Sequence, residues 1–97
     1  MTYRLSRQAE ADLDDIYFAG ARSFGLLQAQ RYADGLARVL DFLAAHPRAA
    51  RLRSEIDPPI RAHPYRSHLI VYEVDEQDEI TILRVRHGRE DWSSDPL

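Results

Sequence analysis

The order of periodic segments predicts an α+β fold of two layers, β-α-α-β-β-β, with a helix hairpin packed on one face of a mainly antiparallel sheet. Three observations carry this expectation. Apolar side chains recur at helical spacing between Ser6 and Gly25, and again between Gly25 and His46. The two stretches meet at a single glycine, a joint short enough to fold them into an antiparallel hairpin. Two β-branched and aromatic runs, "HLIVYEV" (68–74) and "EITILRVRH" (79–87), then flank a short acidic turn, as the strands of a β-hairpin do. At 97 residues the chain is expected to form one domain, 1–97, with ordinary stability.

In chain order, "TYRL" reads as a short strand with Tyr3 and Leu5 on one face. Ser6 is a good helix N-cap, although Ala9 stands where a full capping box would have Glu or Gln. Ala9, Leu13, Ile16, Tyr17 and Phe24 form the apolar stripe of the first helix, with Gly20 on the same stripe. Asp12, Asp14 and Asp15 are placed on its other side, and Gly25 ends it. The second helix carries Ala29, Ala33, Leu36, Leu40 and Leu43, widened by Tyr32, Val39 and Phe42, a face broad enough for burial on more than one side. Gly35 sits inside it, either to let the first helix approach or merely tolerated. His46–Pro47 stops the helix.

Residues 47–59 read as an Arg-rich loop, "IRAH" (60–63) as a short strand and "PYRS" as a turn. With a two-residue turn at Glu76–Gln77, period two puts Arg84 and Arg86 on the face of Ile80, Ile82, Leu69 and Val71. His87 falls on the opposite face, with Leu83 and Val85. A bulge would change this phase. The sheet face away from the helices is expected to be concave and partly open.

Composition excludes several classes of function. No apolar run approaches the roughly 18 residues that span a bilayer, and the N-terminus lacks an apolar signal segment. The absence of cysteine rules out disulfides, thiolate metal sites and cysteine nucleophiles. A cytoplasmic location is the default expectation. Net charge is −3 but uneven: residues 48–72 and 84–89 each carry +3, residues 73–79 carry −5, and residues 90–97 carry −3. Such a chain offers no long-range field for nucleic acid, only a local basic patch. Every cationic side chain other than histidine is Arg, which suits bidentate recognition of carboxylates but equally follows from GC-rich codon usage.

The four histidines, at 46, 63, 68 and 87, show no metal-motif spacing, and no glycine-rich phosphate loop is present, so no metal or cofactor is expected. A small ribonuclease would need a base, an acid and cations around a phosphate. Arg61, Arg66, Arg84 and Arg86 could supply the cations, and Glu55, His63, His68 or His87 the proton exchange. Strand arginines more often pair with acids such as Glu73 or Glu79, or bind a partner. Trp92 fits either an interface hot spot or a cap on the core.

Four segments, "YRLSRQAEADLDDIY", "FLAAHP", "RAHPYRSHLIVYEV" and "ILRVRHGRED", resemble ParE-type toxins of the RelE/ParE superfamily in the right order, over about residues 3–91. The resemblance implies the β-α-α-β-β-β fold already read from periodicity, and a toxin of a type II toxin–antitoxin system. It further implies poisoning of DNA gyrase, neutralisation by a ParD-type antitoxin, and no enzymatic chemistry. RelE-type relatives on the same scaffold instead cut mRNA on the ribosome, so fold alone does not decide. Two features favour the ParE reading. The chain has no lysine, no tyrosine beyond Tyr72, and in its tail Trp92, which cannot exchange a proton. An acidic pI near 5.7 also opposes the counterion release that rewards ribosome binding. His87 resembles a histidine that the nucleases carry near this point; in a nuclease, His87, Arg84 and Arg61 would do the work. The expected docking surface comprises Arg61, Arg66, Arg84, Arg86, Arg89 and Trp92, with Tyr32, Val39 and Phe42 as an antitoxin groove. No membrane and no sequence-specific nucleic acid contact is expected.

Overall fold

The structure is a computed structural model, and it describes residues 2–88. Strand β1 (Tyr3–Leu5) leads into helix α1 (Arg7–Phe24) and helix α2 (Leu26–Ala45), followed by strands β2 (Leu52–Arg53), β3 (Ile60–Tyr65), β4 (His68–Val74) and β5 (Ile80–His87). The sheet order is β1-β5-β4-β3-β2, antiparallel throughout except where β1 runs parallel to β5. This is the α+β two-layer architecture that the sequence predicts.

Ser6 joins strand to helix. Its backbone N–H donates to the Ile82 carbonyl at 2.9 Å, continuing the β1 ladder, while its Oγ accepts from the Ala9 N–H at 3.0 Å as the α1 N-cap. The same hydroxyl donates to the Leu83 carbonyl at 2.7 Å. Gly25 is the single residue between the helices and holds φ at +90°, a conformation that L side chains rarely adopt. Where the helices meet, Gly20 faces the small side chain of Ala29, with room for a methyl group between them.

Ala9 of α1 and Leu36, Leu40 and Leu43 of α2 bury against Ile70, Tyr72, Ile80, Ile82 and Val85 of the sheet. Tyr72 is fully buried, yet its hydroxyl is satisfied: it donates to the Pro47 carbonyl at 2.8 Å. On the opposite face, Ile56 from the loop after β2 covers Ile60, Val71 and Leu83, so that face is not simply open.

Several local expectations are corrected. Strand β2 pairs only two residues with β3, too short to leave a periodic signature. Strand β3 continues through Pro64 and Tyr65, leaving Arg66–Ser67 as the turn. Gly35 makes room for Tyr65 rather than α1, because a Cβ there would overlap the Tyr65 hydroxyl. The β4–β5 link is a three-residue loop, not the expected two: Asp75 N–H pairs with the Glu79 carbonyl at 2.9 Å, and Asp78 takes a positive φ. A bulge then shifts the register between Val71 and Tyr72, so that Tyr72 opposes Ile82 while Val71 opposes Arg84. Val85 therefore stays on the helix side with Ile80 and Ile82, and Arg84 and Arg86 fall opposite Val71 and Leu69. The arginines do not share the Ile80–Ile82 face, and His87 does.

Candidate functional site: a cleft beside the helix hairpin

The hairpin and the near ends of β4 and β5 enclose a half-open cleft of about 770 Å³. Its walls are largely apolar: Leu13, Ile16, Gly20 and Phe24 from α1, and Ala29, Ala33 and Leu36 from α2. Its polar end gathers Tyr32, Arg66, Ser67, His68 and His87. These come from three separated segments. The register explains the meeting, since His68 and His87 are Cα partners across β4 and β5, and Tyr65 opposes His68 across the turn.

An aromatic chain lines that end. The Tyr32 hydroxyl lies 2.6 Å from His68 Nδ1, the Tyr32 ring meets the Tyr65 ring edge-on at 5.2 Å, and the His68 and His87 rings meet edge-on at 5.3 Å. Burial, then the neighbouring Tyr65, raises the Tyr32 pKa, and a hydrogen bond from the Ser67 backbone and the charge of Arg66 pull part of it back. The phenol thus keeps its proton at neutral pH, with His68 Nδ1 at 2.6 Å and the Tyr65 carbonyl at 3.5 Å as its neighbours. Arg66 is exposed at the cleft mouth, its guanidinium 5.7 Å from the centre of the Tyr65 ring.

The residues expected to form the docking surface do not form one patch. Arg84 is committed internally: its Nε and an Nη donate to the two Asp12 carboxylate oxygens at 2.8 and 3.0 Å, in side chains only 20% and 15% exposed. Asp12 also accepts the Val85 N–H at 2.9 Å, so this aspartate faces the sheet, not solvent with Asp14 and Asp15 as expected. It caps the edge of β5 that β1 leaves uncovered beyond Ile82. Arg61 donates to the Ala50 carbonyl at 2.6 Å and so anchors the segment after α2. Arg86 is half-buried opposite Leu69. Arg89 and Trp92 lie outside the described residues. Of the apolar set, Tyr32 lines the cleft, Val39 packs against the main core, and Phe42 is 46% exposed between His46 and His63, away from the cleft. The cleft therefore unites Arg66, Tyr32 and His87, and leaves out Arg61, Arg84, Val39 and Phe42.

The sequence reading missed the hairpin tip. Phe18, Phe24, Leu26 and Leu27 are all more than half exposed, Phe24 at 75%. The signal lay in "FGLL": apolar residues on both sides of a one-residue joint, where a surface turn is normally polar. Among the described residues no cluster of three or more His, Asp or Glu could hold a metal ion, and no helix is long and apolar enough to cross a membrane.

The fold and cleft define a small two-layer domain with exposed apolar surface and internally paired strand arginines. Residues 3–92 match the sequence profile of the ParE toxin of the type II toxin–antitoxin system parDE. The chain is 36% identical over 89 residues to Toxin ParE1 of Mycobacterium tuberculosis (strain H37Rv), covering 92% of this chain and 91% of that one. It is also 36% identical over 85 residues to Toxin ParE1 of Caulobacter vibrioides, covering 88% and 86%. A solved chain from a chromosomal ParDE toxin–antitoxin system of P. aeruginosa superposes with a TM-score of 0.75 at 26% identity, covering 90% of this chain and 95% of that one. This chain belongs to the ParE toxin family.

Proposed function

We propose that the chain poisons DNA gyrase by binding it, without chemistry of its own, and that a ParD-type antitoxin neutralises it in the cytoplasm. Family membership over nearly the whole chain supports the toxin role. One structural observation favours binding over catalysis: the residues that a nuclease would use are dispersed. His87 stands at the cleft with His68, whereas Arg84 is locked to Asp12 and Arg61 to the Ala50 carbonyl, so neither cation is aimed at a phosphate held by His87. Electrostatic stabilisation of a transition state needs its donors converged in advance. The cleft and hairpin tip instead offer what a folding antitoxin segment uses, a long apolar surface with polar groups at one end.

The test is expression of the chain with and without the short reading frame expected beside it. Alone, the chain should stop growth and break chromosomal DNA; with the partner, growth should return. Ribosome-dependent mRNA cutting abolished by His87→Ala, with intact DNA, would replace this reading with the RelE-type one.

A further inference from the structure

Arg66 occupies a backbone position that its own type does not favour. It is the first residue of the two-residue turn between β3 and β4, closed by the Tyr65–His68 pair, and its φ is +51°. Tight hairpin turns reserve positive φ for glycine or asparagine. Asp78, the other described non-glycine residue with positive φ, is of a type that tolerates it and is tied to Arg48 by a 2.8 Å ion pair. Nothing comparable explains Arg66. Among the described residues no carboxylate pairs with it; its Nε lies 3.4 Å from the Tyr65 hydroxyl and its guanidinium packs on that ring. Tyr65 is in turn wedged between Gly35 and Tyr32. A residue at an unfavoured φ, whose guanidinium rests on the Tyr65 ring with no carboxylate beside it among the described residues, marks a functional position.

The cleft supplies the context. Its walls are largely apolar, Arg66 stands with Ser67, His68 and His87 in its polar lining, and Asp15 is the one acid among its described lining residues. An occupant complementary to it presents apolar side chains to these walls and a carboxylate beside Arg66. Given that an antitoxin is the partner, as proposed above, we infer that Arg66 is the carboxylate anchor of the cleft. It receives an Asp or Glu side chain from the antitoxin segment whose apolar residues fill the space between the helices. Arginine is kept at a glycine-type position because its planar fork binds that carboxylate in a bidentate, desolvated pair.

This assignment makes stability and binding respond in opposite directions. Arg66→Gly and Arg66→Asn relieve the backbone and should raise the urea midpoint of the free toxin, or leave it unchanged. The same variants should bind purified antitoxin about tenfold or more weakly, with a shallower dependence on salt than wild type. Arg66→Lys, which keeps charge but loses the fork, should fall between. If wild type and both variants bind the antitoxin equally well, Arg66 is not the anchor and the antitoxin reading stands. Lower midpoints in both variants would make Arg66 a structural residue and overturn the assignment. Failure of wild type to bind the antitoxin at all would overturn both.

Discussion

Removing the Arg84 side chain strands the Asp12 carboxylate in a largely buried setting, with the Val85 N–H as its one remaining partner among the described residues. Arg84→Ala should therefore lower unfolding free energy by about 2–3 kcal/mol, because a charged acceptor loses its two strongest donors. Urea denaturation checks this, and an unchanged midpoint would mean the pair contributes nothing net. The variant is thus expected to act first on folding, the reverse of what a surface-docking arginine would do. Asp12 shows why such a contact was not legible. It stands in "DLDD", which reads as a solvated acidic face, and only the approach of α1 to the open edge of β5 selects it from its neighbours. Ser6 was legible because a cap is a local event decided within four residues.

The two helix-interior glycines predict opposite outcomes when replaced by alanine. A Cβ at Gly20 would lie 3.6 Å from the Ala29 Cβ, ordinary contact, so Gly20→Ala should gain about 0.5–1 kcal/mol from helix propensity. At Gly35 the new methyl overlaps the Tyr65 hydroxyl, so Gly35→Ala should destabilise by about 1–2 kcal/mol despite the same propensity gain. Adding Tyr65→Phe to Gly35→Ala should recover part of that loss, a coupling that a double-mutant cycle reads directly. At the hairpin tip, Phe24→Gln with Leu27→Gln should leave thermal stability within about 0.5 kcal/mol, since both side chains are mostly in water already. It should weaken antitoxin binding in a titration if the tip belongs to the interface. Both helices could be read from their periods, and the two long strands from their β-branched and aromatic runs. The two-residue β2 and the Val71–Tyr72 bulge could not, because one is shorter than a period and the other breaks the period that would reveal it.

For the whole molecule, the fold class was legible and the site was not. Element order follows from local patterns, whereas the cleft joins Tyr32, Arg66, His68 and His87 from segments that only the folded register brings together. The same packing sets an alkaline limit. Tyr3, Tyr32 and Tyr72 have pKa values raised, burial being the largest cause in each. A raised value means the native state holds the proton more tightly. The associated stability is complete below the ordinary tyrosine value of 10.0 and is lost as pH rises through the higher native values. The tyrosinate absorbance of these three residues should therefore appear in step with unfolding. Tyr72→Phe, which removes the bond to the Pro47 carbonyl, should cost about 1 kcal/mol at neutral pH and move alkaline unfolding upward.

The central claim is that this toxin acts by gripping its target. The direct measurement is a gyrase supercoiling assay with purified toxin, DNA and ATP, titrated with antitoxin. Loss of supercoiling with accumulation of cleaved DNA, reversed as antitoxin is added, is the predicted result. Unimpaired supercoiling at saturating toxin, alongside cleavage of ribosome-bound mRNA by the same preparation, would contradict it.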